Sequence, residues 1–111
     1  MGLFPYTRMR ERMIIAIDYD HTYTNDPQLW DEFSRNALSR NHTVYCVSSR
    51  DERTMDDAKN TIGKVIGPAN CFGTNLHPKR EFMIKNHNIY IDVWVDDTPD
   101  TIVESHWYGH Q

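Results

Sequence analysis

The sequence predicts an α/β protein, a Rossmann-like three-layer sandwich built on a small, mainly parallel sheet. Three observations predict it. Residues 13–17 are apolar without a break, and 43–47 and 91–95 are nearly so. Short runs of this kind read as strands buried on both faces, as in a parallel sheet. Stretches with helical spacing alternate with them, which implies crossovers that are right-handed in nearly all cases. Two of the runs stop at paired acids, Asp18 with Asp20 and Asp96 with Asp97.

The totals set limits. A chain of 111 residues is enough for a single domain, 1–111, with 1–12 read as a flexible tail or short edge segment. Aromatic content of 12% against 39% hydrophobic residues implies a small core with large pieces. A net charge of −4 gives no sign of broad electrostatic affinity for nucleic acid or anionic membrane, and leaves room for a local basic patch. No apolar run reaches the ~20 residues of a membrane span. Arg8, Arg10 and Arg12 precede no signal-peptide core, and Tyr6 stands where a myristoylation signal has Ser or Thr. A cytoplasmic location is the expectation. Cys46 and Cys71 lie in apolar segments and read as free, buried core residues.

The elements follow in order. After the first strand, Thr22, Tyr23 and Thr24 suggest a tight hairpin or flap within 21–25. Asp26 is a helix N-cap with Pro27 at the first helical position. Leu29, Trp30, Phe33, Ala37 and Leu38 make a stripe expected to pack on the sheet. Asn41-His42 leads into the 43–47 strand. Ser49 and Glu52 have capping-box spacing for a helix over 52–62, buried through Met55, Ala58 and Ile62 and broken at Gly63. Residues 69–73 suggest a short strand, and Pro78 opens a helix with Phe82, Met83 and Ile84 inward, closed by 86–88. Beyond the last strand, 98–100 start another helix, with Ile102 and Val103 packing back. No repeat, linker or low-complexity segment interrupts this plan.

Chemistry concentrates at the strand ends. In a parallel sheet these point the same way, so Asp18, Asp20, Asp96 and Asp97 meet at one edge, where open α/β sheets place ligands. Adjacent carboxylates repel unless a cation or a shared proton compensates. Such oxygens are ligands for a hard cation. Ser48, Ser49 and Arg50 close the middle strand, and Lys79 follows Pro78 at a helix start. Taken singly, each is explained as well by a turn, a cap or a solvated charge.

Strand–Asp-x-Asp-x-Thr, strand–Ser, Lys and strand–Asp-Asp, in that order, resemble the four motifs of the haloacid dehalogenase-like (HAD) phosphohydrolases over roughly residues 13–105. The resemblance implies a HAD-like fold and a phosphomonoesterase that acts through an aspartyl-phosphate. It implies Asp18 as nucleophile and Asp20 as general acid and base, a role suited to a carboxylate whose pKa neighbouring acids raise. It implies Mg²⁺ held by Asp18, the Asp20 backbone carbonyl and one of Asp96 and Asp97, the other holding a ligating water or the lysine. Ser48 would bind a phosphoryl oxygen, with Ser49 the weaker candidate. Lys79, preferred to Lys85, would offset negative charge. Thr22 holds the loop; with Ser49, Arg50 and Arg80 it completes the expected substrate-binding set. Arg50 either binds substrate or forms a salt bridge.

Residues 23–47 and 49–78 leave no space for a cap domain, so the resemblance is to a small capless member with an open site. Open sites in that superfamily take large substrates such as phosphorylated nucleic-acid ends, or borrow a lid from a second subunit, so a homo-oligomer is a possible state. Small nucleotides remain candidates, with Tyr19, Tyr23, Trp94 and Trp107 as stacking surfaces, although Trp94 reads better as core. Two features depart from the pattern. His21 stands where the family most often has glycine, and Lys79 stands unusually close to Asp96. They motivate an alternative, a catalytically weak or inactive phosphate- or metal-binding module. A receiver-type signalling domain gathers similar residues, but it needs an Asp where this chain has Val47-Ser48-Ser49. His106 and His110 lack rigid zinc spacing.

Overall fold

The first apolar run forms β1 (Ile14–Ile17), and later runs form β2 (Thr43–Ser48), β3 (Cys71–Gly73) and β4 (Val93–Val95). All four pair in parallel, in the order β3-β2-β1-β4. The structure, a computed structural model, describes residues 12–104, so the expectations for the basic tail, Trp107, His106 and His110 fall outside the described residues. Successive side chains of a strand point to opposite faces. Ile15, Ile17, Val44, Cys46 and Cys71 therefore enter one hydrophobic cluster. Ala16 and Val47 enter another, with Tyr45, Phe72 and Trp94 packed against it. Two buried faces explain why the strand sequences are apolar throughout and do not alternate.

Among the described residues five helices accompany the sheet, a layout consistent with a Rossmann-like sandwich. They are α1 (Pro27–Ser39), α2 (Asp56–Lys59), α3 (Gly63–Ile66), α4 (Lys79–His87) and α5 (Asp100–Val103). Ala37 of α1, Met55, Ala58 of α2 and Ile62 and Ile66 near α3 fill the first cluster. Met83 of α4 fills the second. Asp26 caps α1, its carboxylate accepting from the Leu29 N–H at 3.2 Å, with Pro27 at the start. Asn88 closes α4 in the left-handed region at φ 56°. Cys46 and Cys71 are buried, free and register partners between β2 and β3. Among the described residues no helix is long and apolar enough to cross a membrane.

Connectivity positions the site. The chain steps from β1 to β2 to β3 on one side, then returns to lay β4 on the other side of β1. The crevice beyond β1 and β4 is thus the point where strand order reverses, the usual ligand position in such sheets.

Several local expectations are corrected. Residues 23–25 form a 3-10 turn with no hairpin, because the Tyr23 N–H returns to the Asp18 carbonyl and the Thr24 N–H to that of Tyr19. The 52–62 segment is a 3-10 turn (Glu52–Thr54) followed by α2, and Gly63 begins α3 where a break was expected. The turn is capped by Asp51, not Ser49, while Glu52 accepts from the Gly73 N–H at 3.0 Å. The predicted stripe of α1 is rotated. Trp30, Ser34 and Ala37 face inward, while Leu29, Phe33 and Leu38 are largely exposed. Small residues at 34 and 37 let the helix pack closely on that side. In α5 it is Thr101 that is buried, and Val103 is exposed.

Ser34 is fully buried, and its Oγ has no hydrogen-bond partner. An unpaired buried hydroxyl costs about 1–3 kcal/mol. Ser34→Ala is therefore expected to raise the thermal midpoint by several degrees; an unchanged or lower midpoint would show that the hydroxyl is satisfied in solution.

Candidate functional site

Asp18 is the residue at which β1 stops. Its N–H donates to the Val95 carbonyl at 2.9 Å, so the β1–β4 ladder continues to the site itself. Where β4 ends, Asp96 and Asp97 follow, and oxygens of Asp18, Asp96 and Asp97 lie within 4.8 Å of one another. Lys79, the first residue of α4, reaches between them. Its Nζ lies 3.0 Å from Asp18 Oδ1 and 2.5 Å from Asp96 Oδ2. The Lys79 and Asp96 side chains are each only 2% exposed. Thr22 Oγ1 is within hydrogen-bond distance of Asp18 Oδ2 (3.2 Å) and Asp97 Oδ1 (3.1 Å), and it accepts from the Asp97 N–H. Thr98 donates its N–H to Asp96 Oδ1 at 2.9 Å. Every acid in the cluster is thus held by a group from another turn of chain or the next residue.

One ammonium, paired to Asp18 and Asp96, stands against three clustered carboxylates, so the cluster is under-compensated. Burial pushes the Asp18 carboxyl up to about 6; Lys79 opposes this, and the hydrogen bond to Asp97 and the charge of Asp96 add to it. Asp97 is held below its ordinary range, chiefly by its hydrogen bond with Asp18. A divalent cation would satisfy the same oxygens without a proton, and an all-carboxylate donor set suits a hard ion. The residues present therefore fit Mg²⁺, although nothing in the donor set singles out that metal. The Asp20 carboxylate is not part of this group.

Asp20 departs from expectation in another way. Its carboxylate is gripped bidentately by Arg50, Nε to Oδ2 and Nη2 to Oδ1, both at 2.8 Å. That hydrogen bonding lowers its pKa, where a raised value was expected from neighbouring acids. Ser48 is buried at the end of β2, and its Oγ accepts from the Arg50 N–H at 3.1 Å.

These groups line one cleft of about 300 Å³, together with Ser49 and His21, and with Leu76, Thr98 and Thr101, which sequence reasoning had not placed there as ligands. Thr98 had a signal, its position directly after the acid pair. Leu76 had none, since the loop that carries it is ordered by its N–H to the Ser49 carbonyl. Thr22 supports the acids from behind and does not line the cleft. Arg80 also lies apart, in a separate depression with Ile84, Lys85 and Val103. Lys85 is exposed and pairs with Glu81, which leaves Lys79 as the lysine of the site. Tyr19 and Tyr23 are buried and stack on each other at 5.5 Å, so neither offers a face to a base. His21 adopts φ 65°, the left-handed backbone that a glycine takes without strain.

No family model, curated protein or solved structure matches this chain.

The raised Asp18 pKa has a consequence for the metal-free protein. An acid with a folded pKa above its unfolded value contributes fully below about pH 4, and that contribution is lost as pH rises through about 6. Asp18→Asn lacks this titration. In chelator-treated samples its stability relative to wild type is expected to climb between pH 4 and 7, by about 1–3 kcal/mol. Thermal melts across that range check it; a pH-independent difference would remove the electrostatic explanation.

Proposed function

We propose that this chain is a Mg²⁺-dependent phosphomonoester hydrolase of HAD type, working through an aspartyl-phosphate on Asp18. One observation carries the reading. A buried lysine, drawn from far along the chain, contacts Asp18 and one acid of the second pair, at the carboxyl edge of a parallel sheet. Clusters of acids around a lysine at a cleft are frequent at functional sites, and here the buried Lys79, Asp18 and Asp96 lie at the floor of a cleft that Asp97 and Asp20 also line.

In the proposed reaction Asp18 attacks phosphorus in line as the bond to the leaving oxygen breaks. Asp20 gives that oxygen a proton. Asp20 then takes a proton from a water that attacks the aspartyl-phosphate, releasing inorganic phosphate and restoring the Asp18 carboxylate. Lys79 lowers the repulsion between carboxylate and phosphoryl oxygens, and Ser48 and Ser49 offer hydroxyls to them. Mg²⁺, when bound, would supply further charge neutralisation. Asp18 and Asp97 would hold it, with Asp96 committed to Lys79 through one oxygen and to Thr98 through the other. No cap stands over the cleft among the described residues, which favours a nucleotide or a phosphorylated nucleic-acid end as substrate. A second reading, a binding module with weak turnover, draws support from the Arg50 grip on Asp20.

Phosphate release from an aryl phosphate and from nucleotides, with and without Mg²⁺, tests this. Release is expected to need the metal, to fall to background in Asp18→Asn, and to drop about 10²–10⁴-fold in Asp20→Asn. Release that survives Asp18→Asn, or no release from folded, Mg²⁺-binding protein across the panel, would refute the hydrolase reading.

A further inference from the structure

The Arg50–Asp20 pair is hard to reconcile with an Asp20 that must reach a leaving oxygen. Its surroundings resolve the conflict. Arg50 does not depend on Asp20 for its position. Its Nη1 donates to the Thr54 carbonyl at 2.9 Å and lies 3.6 Å from Asp57, and its guanidinium sits 5.1 Å over the Tyr19 ring. Its backbone N–H is tied to Ser48. The loop behind it abuts the end of β3, where even a Cβ on Gly73 would lie 2.6 Å from the Arg50 carbonyl oxygen. Asp20, by contrast, stands on the turn after β1, with both carboxylate oxygens on Arg50. The pair is also accessible. Its side chains are 27% and 42% exposed and line the cleft, whereas the Lys79–Asp96 pair is sealed at 2% each. Lys79 and Arg50 are the two strong bases lining the cleft, and Lys79 is already committed to two acids.

We infer that Arg50 is a latch: it exchanges its Asp20 partner for a second anionic group of the substrate, and the exchange releases Asp20 to the reaction. The inference rests on the hydrolase reading and narrows its substrate class. The edge of the guanidinium that holds Asp20 presents two parallel N–H groups, and phosphate accepts that fork as carboxylate does. The preferred substrate is therefore a phosphomonoester with a second phosphate nearby, either a small bisphosphate or the first internucleotide phosphate behind a phosphorylated end. A substrate with one phosphate leaves Asp20 engaged and turns over slowly.

The test compares adenosine 5′-monophosphate with two probes that carry a second phosphate group, adenosine 3′,5′-bisphosphate and a 5′-phosphorylated dinucleotide, in Mg²⁺. Wild type is expected to favour the two-phosphate probes by about ten- to a hundredfold in kcat/KM. Whichever of the two is favoured identifies the source of the second phosphate. In Arg50→Gln the ratio is expected to collapse from both sides, with turnover of the monophosphate rising as turnover of the others falls. Arg50→Lys, which keeps charge but loses the fork, is expected to fall between. A purely structural Arg50 would lower all rates together and leave the ratio intact, and that result would overturn the latch. Calorimetry on Asp18→Asn supplies a readout without turnover. Tighter binding of the two-phosphate probes that vanishes in Asp18→Asn/Arg50→Gln supports the exchange even if no substrate is hydrolysed, whereas equal affinities overturn it.

Discussion

The ammonium of Lys79 is the constraint around which the rest of the site is arranged. It is buried against Asp18 and Asp96, and a buried cation of this kind is costly unless fully partnered. Removing either acid leaves a charge in the interior, and removing the lysine leaves three acids facing one another. Such a cluster is weak evidence for stability, since well-packed apolar residues would serve the fold better. The two hydrophobic clusters on either side of the sheet must therefore offset it. Cores at Ile15, Ile17, Val44 and Met55 on one face and Ala16, Val47 and Met83 on the other fix the strands whose ends carry the acids.

The sheet order then does what no single strand does. Because β4 returns to the far side of β1, the two acid-bearing ends are neighbours, and the Asp18–Val95 hydrogen bond locks their relative height. α4 packs on the second face through Met83 and carries Lys79 at its start, while Ser48 ends β2 and Arg50 follows it. A sheet built β4-β3-β2-β1 from the same strands would separate Asp18 from Asp96 by three strand spacings, roughly 14 Å. The chemistry proposed here is a property of the connection as much as of the residues.

Much of this was legible in the sequence, and for identifiable reasons. Continuous apolar runs forecast strands buried on both faces, and acids at their ends forecast the cluster. Pro78 forecast the helix start that presents Lys79. What was not legible depended on partners remote in sequence. The stripe on α1 could not show that the buried side would fall on Trp30, Ser34 and Ala37 and leave Leu29 and Phe33 outside. The β-prone Thr22-Tyr23-Thr24 stretch could not show that its backbone would turn back onto Asp18 and Tyr19. Arg80 sits beside Lys79 in the chain, yet on a helix adjacent residues point about 100° apart, and only Lys79 turns into the cleft. The pKa of Asp20 was predicted in the wrong direction because neighbouring acids were counted and an arginine from the next strand end was not.

The Arg50–Asp20 pair bears on how a site this small would select the proposed substrate without a cap. A cap excludes water and supplies contacts by closing over the ligand. Here the nearest equivalent is a turn, residues 18–25, tied at its base by Asp18 and Tyr19 and carrying His21 in a left-handed conformation at the mouth. The Arg50 side is rigid by contrast, held by β3, Thr54 and Ser48. Any rearrangement at the Arg50–Asp20 pair therefore falls on the turn, and the strained backbone at His21 is stored where that rearrangement would occur. In the proposed latch, selectivity would come from which anion holds the guanidinium, a competition that needs two side chains and no added domain.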